Sequence, residues 1–242
     1  MLITPRSLAG TERNARIVVR RALSARVNEL VLEIDGPLPF RWRAGQYVTL
    51  HPEGGVGAHE GPLAYSIASA WDGAEPPRLA LAIGPGSGAD VLARFGEGAT
   101  LALDGPFGAF TLPDAPGVLL VGAGTGVAPL RAHAGEWLGR PGAGPVTLLA
   151  GARTESDLLW HDEFTELARR DVRFAYVPVV SQPSAAWSGR SGYVQAHLAA
   201  SVARLPAAFL ARVCGAKPMV LECLSVLSSL GVADERLEAE SF

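Results

Sequence analysis

Lysine is almost absent. Of 21 Lys and Arg residues only Lys217 is a lysine, which reads as a compositional bias rather than a function. No sign of charge dominates, since 21 cations face 24 Asp and Glu for a net −3 at pH 7; the basic face that a nucleic-acid partner requires is not expected. Cysteine is scarce too: Cys214 and Cys223 are too few for a Cys₄ iron–sulfur or zinc site. The histidines, His51, His59, His133, His161 and His197, show neither H-x-x-x-H nor H-E-x-x-H spacing, so no metal site is expected. No G-x-S-x-G elbow supports a serine hydrolase. No run reaches the roughly 18 apolar residues of a membrane span, and Met1–Arg20 lacks a secretory leader's apolar stretch and cleavage site. A soluble cytoplasmic protein, touching neither membrane nor nucleic acid, is the expectation.

What the 242 residues do have is apolar content and punctuation. A hydrophobic fraction of 48% with 19% charged residues suffices for a core and excludes compositional disorder. The 28 glycines and 18 prolines are spread along the chain, marking many turns. From Ala15 to about Leu112, short β-type runs (Ile17–Val19, Glu29–Ile34, Gln46–Leu50, Leu79–Ile83) are separated by turn-rich pieces at Asp35-Gly36-Pro37, His51-Pro52-Glu53-Gly54-Gly55 and Glu75-Pro76-Pro77. That spacing predicts an antiparallel barrel or sandwich, with one short helix over Ala89–Arg94.

After Pro113 the rhythm becomes strand, glycine turn, helix. Strands are predicted over Gly117–Val121, Val146–Ala150, Val172–Val180 and Phe209–Cys214, and helices over Val127–Leu138, Asp162–Arg170, Val194–Ala203 and Met219–Leu230. Alternation of this kind implies a parallel sheet with helices on both faces. The predicted domains are therefore 1–112, an antiparallel barrel or sandwich, and 113–242, a parallel α/β unit.

Gly122-Ala123-Gly124-Thr125-Gly126-Val127-Ala128-Pro129 falls where the first parallel strand should turn into a helix. Glycines there let backbone approach a phosphate, and the helix start offers free N–H groups; alone, the segment also reads as a tight connection. Three more motifs keep it company in order: Tyr65-Ser66 with Ser69, Gly105-Pro106-Phe107-Gly108, and Cys214-Gly215 with a terminal Glu240-Ser241-Phe242. Together they resemble the ferredoxin–NADP reductase superfamily over nearly the whole chain, in a branch with an irregular flavin motif.

The resemblance implies a flavin-binding barrel followed by an NAD(P)-binding domain, with FAD and NADH or NADPH as cofactors. Hydride would pass from NAD(P)H to FAD and electrons onward to an unidentified acceptor such as a small redox protein. Tyr65 would lie along the flavin ring and Ser66 near its N5, with Ser69 and Gly105 completing the flavin strand and turn. Gly122, Gly124, Thr125, Gly126 and Pro129 would carry the dinucleotide, with Gly215 opening the last helix. Cys214 would stand beside the nicotinamide, Glu240 would orient it or handle a proton, and Phe242 would cover the flavin. Each has a plainer reading beside this one: Tyr65 and Ser66 as a barrel strand pair, Cys214 as a small core residue, Glu240 as a tail charge, Phe242 as an end plug.

Departures from the family pattern sharpen the expectations. The arginine that pairs with the flavin phosphate is replaced by Leu63, leaving the backbone of Gly86, Ser87, Gly88 and Ala89 as the phosphate cradle. Arg153 could reach the adenosine end of the dinucleotide or be a surface charge. Ser181 stands where relatives hold a 2′-phosphate, but Gln182 follows it where they often carry arginine, which favours NADH. With Leu63 in place, a non-catalytic NAD(P)-binding regulatory or scaffold subunit is the alternative to an enzyme.

Overall fold

Alternation of buried and half-exposed side chains builds the first half of the chain. The computed structural model describes residues 13–36, 39–51, 61–86 and 88–242; what was read of the first twelve residues, Pro37, the 52–55 turn, His59 and Ser87 lies outside them. Strands β1 (Arg13–Ala22), β2 (Asn28–Asp35), β3 (Tyr47–His51), β4 (Leu63–Ser66) and β5 (Arg78–Ile83) precede a short helix, α1 (Ala89–Leu92), and β6 (Thr100–Phe107). In β3, Val48 and Leu50 point inward while Tyr47, Thr49 and His51 do not, the period-two signature of a sheet with one buried face. The strands pair in the order β4-β3-β6-β1-β2-β5. A bridge between Ile67 and Leu81 and a 2.7 Å bond from Ala68 N–H to the Ala80 carbonyl join the two edges, so the antiparallel sheet closes into a barrel around Ile17, Leu32, Leu50, Leu81 and Leu103.

The second half is a six-stranded parallel sheet. Its elements are β7 (Val118–Ala123), α2 (Val127–Leu138), β8 (Val146–Ala152), α3 (His161–Arg170), β9 (Phe174–Val180), β10 (Arg190–Ser191), α4 (Leu198–Val202), β11 (Leu210–Gly215), α5 (Lys217–Ser229) and β12 (Leu237–Ser241). The order is β10-β9-β8-β7-β11-β12. In β7 successive residues serve opposite cores: Val118 and Leu120 pack with α2 and α3, while Leu119 and Val121 pack with α5. A strand buried on both faces must be apolar throughout, which is why 118–121 is an uninterrupted apolar run. The strand order reverses between β7 and β11, and the crevice outside the carboxyl ends at such a reversal is where open α/β sheets bind ligands.

Differences from the sequence expectations have local causes. The predicted helix over Val194–Ala203 is a 3₁₀ turn at Val194–His197 followed by α4. Strands β10 and β12 escape the pattern because they sit at sheet edges, where no residue of either is fully buried. Glu240 consequently is not a solvated tail charge but part of a paired strand. Among the described residues, no helix is long and apolar enough to cross a membrane.

Candidate active site

Two structural approaches define the floor of a cleft between the barrel and the parallel sheet. A Cβ on Gly84, after β5, would lie 2.7 Å from Thr125 Cγ2, so the barrel meets the β7–α2 turn in van der Waals contact. A Cβ on Gly126 would lie 2.2 Å from the Cys214 carbonyl oxygen; the turn can press against the end of β11 only because residue 126 has no side chain. Gly122 is similarly confined, with Leu130 Cδ1 and the Gly126 and Cys214 carbonyls around its Cβ direction. Pro129 lies buried in the first turn of α2.

Above this floor lies a cavity of about 500 Å³, inside the range typical of small-molecule sites. One wall is barrel: Ala64, Tyr65 and Ser66 from β4, with Gly84, Pro85 and Gly86 after β5. The other is sheet: Thr125 and Ala128, Cys214 at the carboxyl end of β11, and Glu240, Ser241 and Phe242. The β11–β12 register sets Cys214 directly opposite Glu240, and Phe242 N–H donates to the Gly215 carbonyl at 3.3 Å. Burial, reinforced by the Glu240 carboxylate, pushes the Cys214 thiol up to about 12, so it is a thiol rather than a thiolate near neutrality. The Glu240 carboxyl is raised by its own burial and by Glu238. Burial also raises the Tyr65 phenol.

A second cavity of about 270 Å³ continues past the other side of the β7–α2 turn. Gly124, Arg153, Ser181, Tyr193, Gln195 and Met219 are among its lining residues. Arg153 Nε donates to Gln182 Oε1 at 2.9 Å, which ties the one guanidinium here to the residue after Ser181. Asp157 is spoken for, accepting from the Thr154 hydroxyl at 2.7 Å and the Thr154 N–H at 3.2 Å. Gly124 lines this cavity and its neighbour Thr125 the larger one, so the two lie on either side of the β7–α2 turn along the carboxyl ends of β7, β8, β9 and β11.

Other expected residues lie elsewhere. Ser69 accepts from the Ala80 N–H at 3.0 Å and lines a different depression, with Glu29, Arg78 and Arg131. Gly105 holds φ +135° against Tyr47 and Val48 in the β3–β6 pairing, outside the cavity lining. Gly88, with φ +94°, faces Leu63, whose Cδ2 lies 2.4 Å from the Cβ that Gly88 lacks, and Ala89 starts α1. Leu63 is buried in the barrel core beneath that turn. Sequence reasoning missed Gly84, Pro85 and Ala128. The Gly-Pro-Gly punctuation after a predicted strand was the available signal for the first two; Ala128 lies inside the Gly122–Pro129 motif but at a position where the motif specifies no residue type.

The cleft fits a flavin: an aromatic ring and a hydroxyl line one wall, and a thiol and a carboxyl line the other, of a cavity of about 500 Å³. Only the phosphate end departs, because Leu63 offers no charge. Residues 120–223 match the oxidoreductase NAD-binding domain family. The chain is 43% identical over 192 residues to ferredoxin–NADP reductase B of Sorangium cellulosum, covering 76% of each chain. It spans less than half of some longer curated relatives, 42% of one and 43% of another. Its fold superposes on the Amycolatopsis cytochrome P450 reductase GcoB with a TM-score of 0.83 at 26% identity, over 96% of this chain and 69% of that one. A Neisseria gonorrhoeae ferredoxin NADP+ reductase with bound FAD and NADP gives 0.76 at 22% identity, over 96% and 99%.

Proposed function

The chain belongs to the ferredoxin–NADP reductase superfamily and is an FAD-dependent NAD(P)H oxidoreductase; from that premise we propose that the 500 Å³ cleft is where hydride leaves the nicotinamide, with a small redox protein taking the electrons onward. The supporting observation is the composition of that cavity, which draws Tyr65 and Ser66 from the barrel and Thr125, Cys214 and Glu240 from the sheet into one space. We assign residues 1–112 to holding the flavin and 113–242 to holding the dinucleotide. A bound flavin supplies a two-electron acceptor that can release electrons singly.

The chain's own residues orient and exclude. Tyr65 and Ser66 line the barrel wall of the cleft; Tyr65 would hold a bound flavin along its ring, and Ser66 would offer it a hydroxyl. The close seating of Gly126 on the Cys214 carbonyl fixes the backbone from which the thiol enters the cleft, so that Cys214 would shape the approach of a nicotinamide without attacking anything. Glu240, its carboxyl raised by burial, keeps a proton to a higher pH than a surface glutamate and can orient the nicotinamide or hand that proton on. Phe242 closes the outer edge. Toward the adenosine end, Arg153 and Ser181 are the polar partners, and Gln182 in place of a second cation favours NADH. The name of the Sorangium relative supports a small redox protein as acceptor, and a supply of free NAD(P)H supports a cytoplasmic setting.

The test is the visible absorption spectrum of the purified protein, before and after anaerobic addition of NADH and of NADPH. A flavin spectrum bleached by either coenzyme is expected. A folded, colourless protein that takes up no FAD on reconstitution overturns the reading.

A further inference from the structure

Away from the cleft, a group of charges spans the seam between barrel and sheet. Glu29, on β2, is 1% exposed, and a carboxylate so buried must be paired. It accepts from Trp160 Nε1 at 2.9 Å, is bonded by Arg21, and lies 3.8 Å from Arg131 NH1. Arg131 projects from α2. Its Nε and NH2 donate to the two Glu163 oxygens at 2.7 and 2.9 Å, a bidentate pair that fixes the guanidinium plane. The same guanidinium lies 5.0 Å over the Trp160 ring, and its NH1 donates to the Ala68 carbonyl at 2.9 Å.

Two features show that this group does more than neutralise charge. Trp160 has φ +52°, and no other non-glycine residue among those described has a positive φ; a bulky residue is held there only when its surroundings over-determine it. From that conformation its indole N–H reaches across the seam to Glu29. Second, both ends of the Arg131 link lead to the cleft. Ala68 is two residues past Ser66, and Arg131 is one turn along α2 from Ala128, both cleft-lining residues.

We propose that Arg131, clasped by Glu29, Glu163 and the face of Trp160, is a positioning residue for hydride transfer. It fixes the separation and angle between the β4 wall and the Thr125–Cys214 wall of the cleft. The inference rests on the reading of that cleft given above. A displacement of about 1 Å between reacting centres can cost a hundredfold in rate, and the Arg131–Ala68 bond is the hydrogen bond that ties α2 to the chain just after β4.

The experiment has two arms. In anaerobic stopped-flow at saturating NADH, with flavin content matched, Arg131→Gln is expected to slow the limiting rate of flavin reduction at least tenfold. The dissociation constant for NADH should stay within twofold of wild type, and Arg131→Lys should recover part of the rate. The second arm needs no cofactor. Spin labels on Asp72→Cys and Val172→Cys, both exposed sites while the native cysteines are buried, report the distance across the seam by pulsed dipolar spectroscopy. A narrow distribution in the parent and a shifted or broadened one in Arg131→Gln is expected. Should Arg131→Gln fail to fold, Trp160→Phe, which keeps the ring and removes the indole donor, carries both arms with the same expectation. Wild-type reduction rates together with an unchanged distance distribution overturn the clasp. A parent protein that binds no flavin overturns the cleft reading instead, and the distance arm still decides the clasp.

Discussion

Leu63 replaces a cation with a hydrocarbon at the one place where the resemblance asks for charge. It is 7% exposed, packed into the barrel core and pressed against the Cβ-less face of Gly88. Leu63→Arg is expected to tighten FAD binding at least tenfold, since a hydrogen bond to a charged group contributes about 1.5–3 kcal/mol. The apoprotein should melt at a lower temperature, because the barrel loses a core leucine. Equilibrium fluorescence quenching of FAD and a melting curve check the two effects separately, and unchanged affinity would mean that the phosphate contact is made elsewhere. This substitution was legible in the sequence because the motif around it fixed the register. The burial of Leu63 under α1 was not, since nothing in Leu63-Ala64-Tyr65-Ser66 states which side chain turns inward.

At the scale of elements, the β7–α2 turn shows which glycines the fold requires. Gly126 has no room, its Cβ position lying 2.2 Å from the Cys214 carbonyl. Gly124 has open space but φ +56°, a left-handed conformation that costs an L-residue roughly 1–2 kcal/mol. Gly126→Ala is expected to weaken coenzyme binding at least tenfold and to cost stability, as overpacking against backbone forces the turn off β11. Gly124→Ala should shift the melting temperature only by the conformational cost. Calorimetric titration with NADH and thermal melts of both variants distinguish these outcomes. Elements with strong periodicity were readable: α2 runs over Val127–Leu138 as its pattern predicts, and the β7 and β8 runs are apolar because both faces are covered. Strand β12 was not readable. Leu-Glu-Ala-Glu-Ser has the composition of a solvated tail, and only its pairing with β11 places Glu240 opposite Cys214.

Across the whole molecule, α2 belongs to both halves. Its Glu136 accepts from the Ala44 N–H at 2.7 Å, Arg140 donates to the Leu112 carbonyl at 2.7 Å, and a Cβ on Gly135 would sit 3.2 Å from Ala70. From β11, Arg212 donates to the Thr111 carbonyl at 2.7 Å. Among these contacts His133 is fully buried beside Phe110, edge to face at 5.3 Å, and neither ring nitrogen has a hydrogen-bond partner. Burial pushes its pKa down to about 3, with the Arg212 charge acting in the same direction and the Phe110 backbone opposing. The unfolded chain takes up this proton below pH 6.5 while the folded one refuses it. Stability is therefore lost as pH falls from about 6.5 toward 3, amounting to about 2 kcal/mol by pH 5. Denaturant melts from pH 8 to 5 should show that slope, and His133→Leu should flatten it without loss of stability at pH 8. The sequence reads His133, like the other histidines, as a surface or satisfied residue, and the structure corrects that: it is buried with both ring nitrogens orphaned, a state that comes from the seam, which no local pattern encodes.

That seam also limits how modular the chain can be. Severing it near residue 113 would strip Arg131 and Arg140 of the acceptors supplied by Ala68 and Leu112 and Glu136 of the donor supplied by Ala44, and would leave Glu29 buried without its indole. Anyone grafting the coenzyme-binding half onto a different barrel inherits those unmet bonds, and a chimera will work only if the new barrel presents the same backbone groups at the same places.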